Sequence, residues 1–150
     1  MTLRVHAPVA GRVLGLAEVP DAVFAQGLVG PGWAIEPSGE GAVTAVAPVA
    51  GRVVKGHPHA FVLLASEGRG VLVHLGIDTV QLGGDGFTVH VAEGNPVAVG
   101  DPMITFEPGA VAAGGRSPVC PVIALDGAAE QVRRLAPAHV ASGAPLFDWG

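Results

Sequence analysis

One stretch of this chain occurs twice without a change. Ala7-Pro8-Val9-Ala10-Gly11-Arg12-Val13 returns forty residues later as Ala47-Pro48-Val49-Ala50-Gly51-Arg52-Val53. Two copies are too few for a solenoid, which needs about three units or more to bury a continuous core, so the repeat marks a duplicated motif inside a single domain. In each copy an extended segment runs into the Ala-Pro pair. It bends at Ala-Gly, where no bulky side chain obstructs the turn, and continues as a strand through Arg-Val. The 23 Gly and 13 Pro among 150 residues work against long helices, because both interrupt the intrahelical ladder and each Pro drives the residue before it toward extended geometry. The expected fold is therefore all-β, an antiparallel β-sandwich or flattened barrel, with residues 1–150 forming one domain that carries one or two very short helices. A hydrophobic content of 49% excludes disorder, and a chain of this length buries enough surface to need no covalent staple.

Strand candidates are short and separated by turn chemistry. They are read at Trp33–Glu36, Gly41–Val46, Ala60–Ser66, Gly70–Leu75, Phe87–Val91, Met103–Phe106, Val119–Ala124 and a segment ending at Phe147. Ser38-Gly39, Glu67-Gly68, Gly83-Gly84-Asp85-Gly86, Gly100-Asp101-Pro102 and Gly114-Gly115 supply the reversals. Two places allow a helix. Pro20-Asp21-Ala22-Val23-Phe24-Ala25 makes one turn and stops at Gly27, and Asp126 caps a second helix running to Leu135.

Eight Lys plus Arg against thirteen Asp plus Glu leave a net charge of −5, too few cations for a phosphate-backbone face, so nucleic acid is not an expected partner. The single cysteine, Cys120, excludes an internal disulfide and fits a reducing cytoplasm. It reads as a small core residue rather than a nucleophile. The longest charge-free stretch, Ala22 to Ile35, is short of a membrane span and holds several glycines. Arg12 interrupts any signal-like apolar run. The expected location is the cytoplasm.

Of six histidines, His6, His90 and His139 stand alone in sequence, whereas His57-Pro58-His59 opens one expected strand and His74 closes the next, in Val71-Leu72-Val73-His74-Leu75. If those strands pair through the Glu67–Gly70 turn, His59 and His74 meet at the same end of a hairpin. Two neighbouring imidazoles repel when both are protonated, so at least one is neutral and offers a free ring nitrogen as nucleophile or ligand. A nucleophilic Nε2 on His74 requires the proton on Nδ1, and a carbonyl in the Gly76 turn is the expected acceptor.

Val73-His74-Leu75-Gly76-Ile77-Asp78-Thr79-Val80, taken with His59-Ala60-Phe61, Pro20-Asp21-Ala22-Val23-Phe24-Ala25 and Glu93-Gly94-Asn95-Pro96-Val97-Ala98-Val99-Gly100-Asp101, resembles the glucose-type enzyme IIA of the bacterial phosphoenolpyruvate-dependent sugar phosphotransferase system. The likeness runs from about Val5 to Phe147. It implies a β-sandwich of duplicated hybrid-motif type and a phosphocarrier that takes a phosphoryl group from phospho-HPr and passes it to a cysteine of an enzyme IIB on another chain. On that likeness His74 matches the phosphorylated histidine and His59 the second histidine, which binds the phosphoryl oxygens. Asp21 and Asp78 match acidic residues that receive an arginine of HPr, and Val23, Phe24, Val29 and Leu72 match an apolar docking face, with Phe24 and Leu72 expected at the surface. Regulated enzymes or permeases are further partners it implies. No cofactor is implied, and a zinc at His59 and His74 only where a partner completes the site. Where the family commonly has a small hydroxyl residue two positions before the second histidine, this chain has His57.

Two readings from other classes compete. His57-x-His59 with His74-x-x-x-Asp78 has the spacing of metal ligands and resembles the lysostaphin-type zinc hydrolases, although the order of the two elements is reversed. A biotinyl or lipoyl carrier would need Lys55 at a hairpin tip, and Val54-Lys55-Gly56 lacks the expected flanking residues.

Overall fold

The computed structural model describes residues 1–38 and 40–150. The expected Ser38-Gly39 turn falls partly outside the described residues. In chain order the strands are β1 (Leu3–His6), β2 (Gly11–Gly15), β3 (Gly32–Pro37), β4 (Val43–Val46), β5 (Gly51–His57), β6 (Ala60–Leu64) and β7 (Gly70–His74). They continue with β8 (Thr88–Val89), β9 (Pro96–Val97), β10 (Pro102–Phe106), β11 (Cys120–Ala124), β12 (Val132–Arg134), β13 (His139–Val140) and β14 (Pro145–Trp149). Two short helices interrupt them, α1 (Ala22–Ala25) and α2 (Pro108–Ala113).

The strands form three antiparallel sheets, ordered β1-β14-β12, β4-β10-β8 and β13-β2-β3-β11-β7-β6-β5-β9. A single core joins them: Val5 and Phe147 from the first, Ile104 and Phe106 from the second, and Phe61, Val73 and Val122 from the third are all buried together. The strand orders stay open, so of the two expected forms the chain takes the sandwich.

The heptapeptide repeat is where the two halves meet. In each copy one strand ends just before the Ala-Pro pair and the next begins at the glycine, β1 to β2 and β4 to β5. The copies hold each other reciprocally: the His6 amide donates to Pro48 O and the Val46 amide to Pro8 O, both at 2.9 Å. Ala7, Val9, Ala47 and Val49 are fully buried. A side chain at Gly11 would place its Cβ 2.0 Å from Glu36 O, and one at Gly51 would lie 2.3 Å from Leu64 O. Both glycines are required because a neighbouring backbone passes too close for any other residue.

Period-two alternation builds a second core on the other face of the large sheet. Val13, Ile35 and Val122 point into the main core, while Leu14, Ala34 and Ile123 pack with Val19, Phe24, Ile77 and Val119 on the far side. Along β7, Val71 and Val73 are fully buried in the main core and Leu72 packs against the second cluster, so alternation sends His74 to the face that α1 covers.

Three expectations are corrected. The helix from Asp126 to Leu135 is a 3-10 turn at Ala129–Gln131 followed by β12. Asp126 has φ 58°, a left-handed conformation unlike the extended one of an N-cap, and Arg133 pairs in register with Asp148 on β14. Pairing along that strand outweighs the local helical pattern. α2 lies at neither of the two places expected to allow a helix, and Pro108 suits its first turn, where the missing N–H would go unpaired in any case. His57 ends β5 rather than opening the next strand, and Pro58-His59 is the tight turn into β6.

Candidate active site

β6 and β7 pair with Ala60 opposite His74 and Leu64 opposite Gly70. The Leu75 amide donates to His59 O at 2.8 Å, fastening the two histidine-bearing ends together. Their rings stand edge to face with centroids 5.1 Å apart. The hairpin juxtaposition read from the sequence is therefore the one the chain adopts.

The residues after His74 set its tautomer. Gly76 has φ +80°, and a side chain there would meet Thr79 Cγ2 at 2.7 Å. This left-handed turn, which glycine adopts without strain, aims the Gly76 carbonyl back at the ring, and His74 Nδ1–H donates to it at 2.5 Å. A carbonyl oxygen only accepts, so the proton resides on Nδ1 and Nε2 keeps its lone pair. The turn is itself braced: buried Thr79 donates from Oγ1 to Leu75 O at 2.8 Å, and the Ile77 amide donates to Ser117 O at 2.9 Å.

Burial lowers the His74 pKa from the ordinary 6.5, against a raising influence from the Gly76 hydrogen bond and the charges of Asp21 and Asp78. Burial also lowers His59, reinforced by the positive charge that His74 and His57 would carry. Both rings are thus biased neutral near pH 7. The native state binds fewer protons here than the unfolded chain, so the stability these rings contribute is present above about pH 6.5 and lost as pH falls through their lowered values. His57 is exposed and stacks on His59 with centroids 5.6 Å apart and planes at 25°. Replacing His57 with threonine removes one repelling charge, and the His59 titration midpoint, followed by NMR of the ring protons, is expected to rise toward 6.5. An unchanged midpoint would mean the stacked ring exerts no electrostatic influence.

The remaining expected site residues sort by position. Asp21 caps α1, accepting from the Val23 amide at 2.9 Å. Phe24 is buried rather than exposed, 8% accessible, with its ring edge-on to His74 at 5.4 Å. It joins the second core, and this corrects the expectation that it lies at the surface. Leu72 and Val29 are half-buried, and Leu72 too is less exposed than expected. Val23 is 45% exposed, and two residues the sequence reading passed over, Leu28 and Val80, are 68% and 62% exposed. Val23 lies in α1, Leu28 just after it and Val80 in the turn that follows His74. Their signal was hidden because exposure depends on what packs over a residue.

Cys120 is wholly buried and its thiol is pushed up to about 12 by burial, which makes it inert as a nucleophile. Among the described residues no three His, Cys, Asp or Glu side chains converge as a metal set, so the zinc-hydrolase reading finds no support. His57 stacks against His59 alone, and Asp78 lies beyond the Gly76 turn.

Residues 3–129 match the model of the family described as phosphoenolpyruvate-dependent sugar phosphotransferase system, EIIA 1. The chain belongs to this family. It is thereby a phosphotransferase component of a sugar phosphotransferase system. It is 47% identical over 108 residues to the PTS system glucose-specific EIIBCA component of Corynebacterium glutamicum, covering 71% of this chain and 16% of that one. It is 43% identical over 121 residues to the PTS system beta-glucoside-specific EIIBCA component of Bacillus subtilis, covering 79% and 19%. The chain thus spans less than a fifth of those relatives. Among solved structures it resembles glucose permease IIA from Mycoplasma capricolum, with TM-score 0.90 and 32% identity over 99% of this chain and 96% of that one. No described helix is long and apolar enough to cross a membrane.

Proposed function

We propose that this EIIA-family chain carries a phosphoryl group on His74 Nε2, taking it from phospho-HPr and giving it to a cysteine of an EIIB domain during sugar uptake. The observation that carries the reading is the His74 Nδ1–H hydrogen bond to Gly76 O, which leaves Nε2 with a free lone pair beside a second imidazole. In the first transfer that lone pair attacks phosphorus while the bond to the donor breaks. In the second a thiolate attacks, the N–P bond breaks, and its electron pair returns to Nε2. His59, its ring centroid 5.1 Å from that of His74, donates to the phosphoryl oxygens as negative charge concentrates near its ring. Phe24 backs the His74 ring from within the fold, while Val23, Val29, Leu28, Val80 and Leu72 form the docking surface that excludes water from the labile phosphoramidate. Asp21 and Asp78 receive the basic side chain of the partner.

Two rings supply two nitrogen ligands, half of what a tetrahedral zinc takes, so a metal would bind here only with a partner's groups completing it. Labelling of the chain by phosphoenolpyruvate, enzyme I and HPr is expected to proceed at an unchanged rate in a chelator. Loss of labelling that zinc restores would replace this reading with a metal-dependent one. We place the chain in the cytoplasm, where its lone thiol stays reduced.

The deciding experiment is phosphorus NMR of the labelled protein. It is expected to show one acid-labile phosphohistidine, linked through Nε2. A Nδ1 linkage, or label on another residue, would refute the assignment. The acceptance rate is expected to be flat above about pH 6.5 and to fall in acid as His74 protonates, since burial holds its titration below the ordinary imidazole value.

A further inference from the structure

Arg116 sits in surroundings unlike those of the other arginines. Arg4 and Arg133 pair with Asp148, Arg12 with Glu36 and Arg69 with Glu67, while Arg52 and Arg134 donate to backbone carbonyls. Like Arg52 and Arg134, Arg116 meets only a neutral acceptor, its Nη2 donating to Gln81 Oε1 at 3.1 Å, but it differs from both at its Nε. Its Nε is buried without an acceptor, the one buried side-chain nitrogen or oxygen among the described residues so left. With that edge shut off from water, the charge is under-compensated until an anion meets the outer Nη edge.

Arg116 lines a cleft of about 360 Å³ shared with Asp78, Gln81, Ile77 and Ser117. Asp78 and Arg116 carry opposite charges in this one cleft, yet they do not pair: the salt bridges among the described residues include neither. The cleft adjoins the phosphorylation turn, because the Ile77 amide is bound to Ser117 O and Asp78 lies four residues beyond His74. A basic side chain that approaches Asp78 therefore enters beside a second positive charge. Approach of like charges is costly at an interface, and a carboxylate alongside relieves it.

We propose that Arg116 is a specificity-determining residue for docking: it receives a carboxylate that flanks the basic side chain which the phosphoryl donor presents to Asp78. The cleft thus reads a cation and an anion together and disfavours a donor that brings the cation alone. The inference rests on the phosphocarrier reading above and adds to it the chemistry of the partner's surface.

The test uses steady-state labelling of the intact chain by phospho-HPr, in Arg116→Gln and in Gln81→Glu. The second variant keeps the side-chain shape and supplies Arg116 with an internal anion, silencing the cation without removing it. Both are expected to raise the KM for phospho-HPr about tenfold, with kcat changed less than twofold, an effect that weakens with added salt. Arg116→Lys is expected to recover part of the loss. A KM that is unchanged or lowered in both variants would overturn the proposal, since a cation that merely repels the donor's basic group predicts tighter docking once it is neutralised. A rise seen for transfer to EIIB alone would overturn it as well. If phospho-HPr fails to label the wild-type chain at all, the phosphocarrier reading falls instead.

Discussion

Replacing His74 with alanine is expected to abolish labelling by phosphoenolpyruvate, enzyme I and HPr, a loss of at least about 10⁴-fold, because no other group near the site can replace the lone pair of Nε2. His59 is neutral and within reach, but its ring lacks the carbonyl partner that fixes the tautomer of His74, for which the Gly76 turn is built. Cys120 is inert at full burial. The structural cost of the substitution is modest, since His74 is half-buried and the Leu75 and Thr79 hydrogen bonds that hold its turn belong to other residues. Circular dichroism and amide NMR of the variant should match the wild type. Acid-labile phosphate at an undiminished level on this folded variant would remove His74 as the acceptor.

The second large effect belongs to His59. Substitution by glutamine keeps an N–H donor on a side chain of similar reach but removes a ring that can take up a proton once a phosphoryl dianion lies beside it, so label still enters while transfer to EIIB slows by about 10²-fold or more. The asymmetry follows from where charge is highest: in the proposed carrier, a phosphoryl group on His74 would hold its oxygens beside His59 until the thiolate arrives. A variant that passes phosphate on at the wild-type rate would show that the 5.1 Å approach of the two rings has no part in transfer.

Much of this arrangement was legible beforehand. The duplicated heptapeptide shows as an unchanged repeat, and the hairpin joining His59 to His74 and the one-turn helix at Asp21 depend on contacts close in sequence. What escaped the reading depended on distant neighbours. The 126–135 segment carries a helical pattern, but Asp148 on β14 draws Arg133 across, and the segment joins a sheet edge. Phe24 looks like a docking residue by its place in the motif. The segment after β2 folds back over the large sheet and buries it in the second core. Arg116 gave no signal at all, because an arginine after two glycines reads as ordinary loop until the chain brings Gln81 and Asp78 around it.

Taken alone, the sequence determined the β class, the duplication and the meeting of His59 with His74 at one end of a hairpin, since alternation of apolar residues, glycine placement and residue spacing act through the backbone over short range. The tertiary structure decided which side chains are free to act. It set the tautomer of His74 through a turn carbonyl and separated the exposed aliphatic residues from the buried Phe24. It also left the Nε of Arg116 buried without an acceptor, in a cleft shared with Asp78. These outcomes rest on burial and on distances between groups far apart in the chain, which no local pattern encodes.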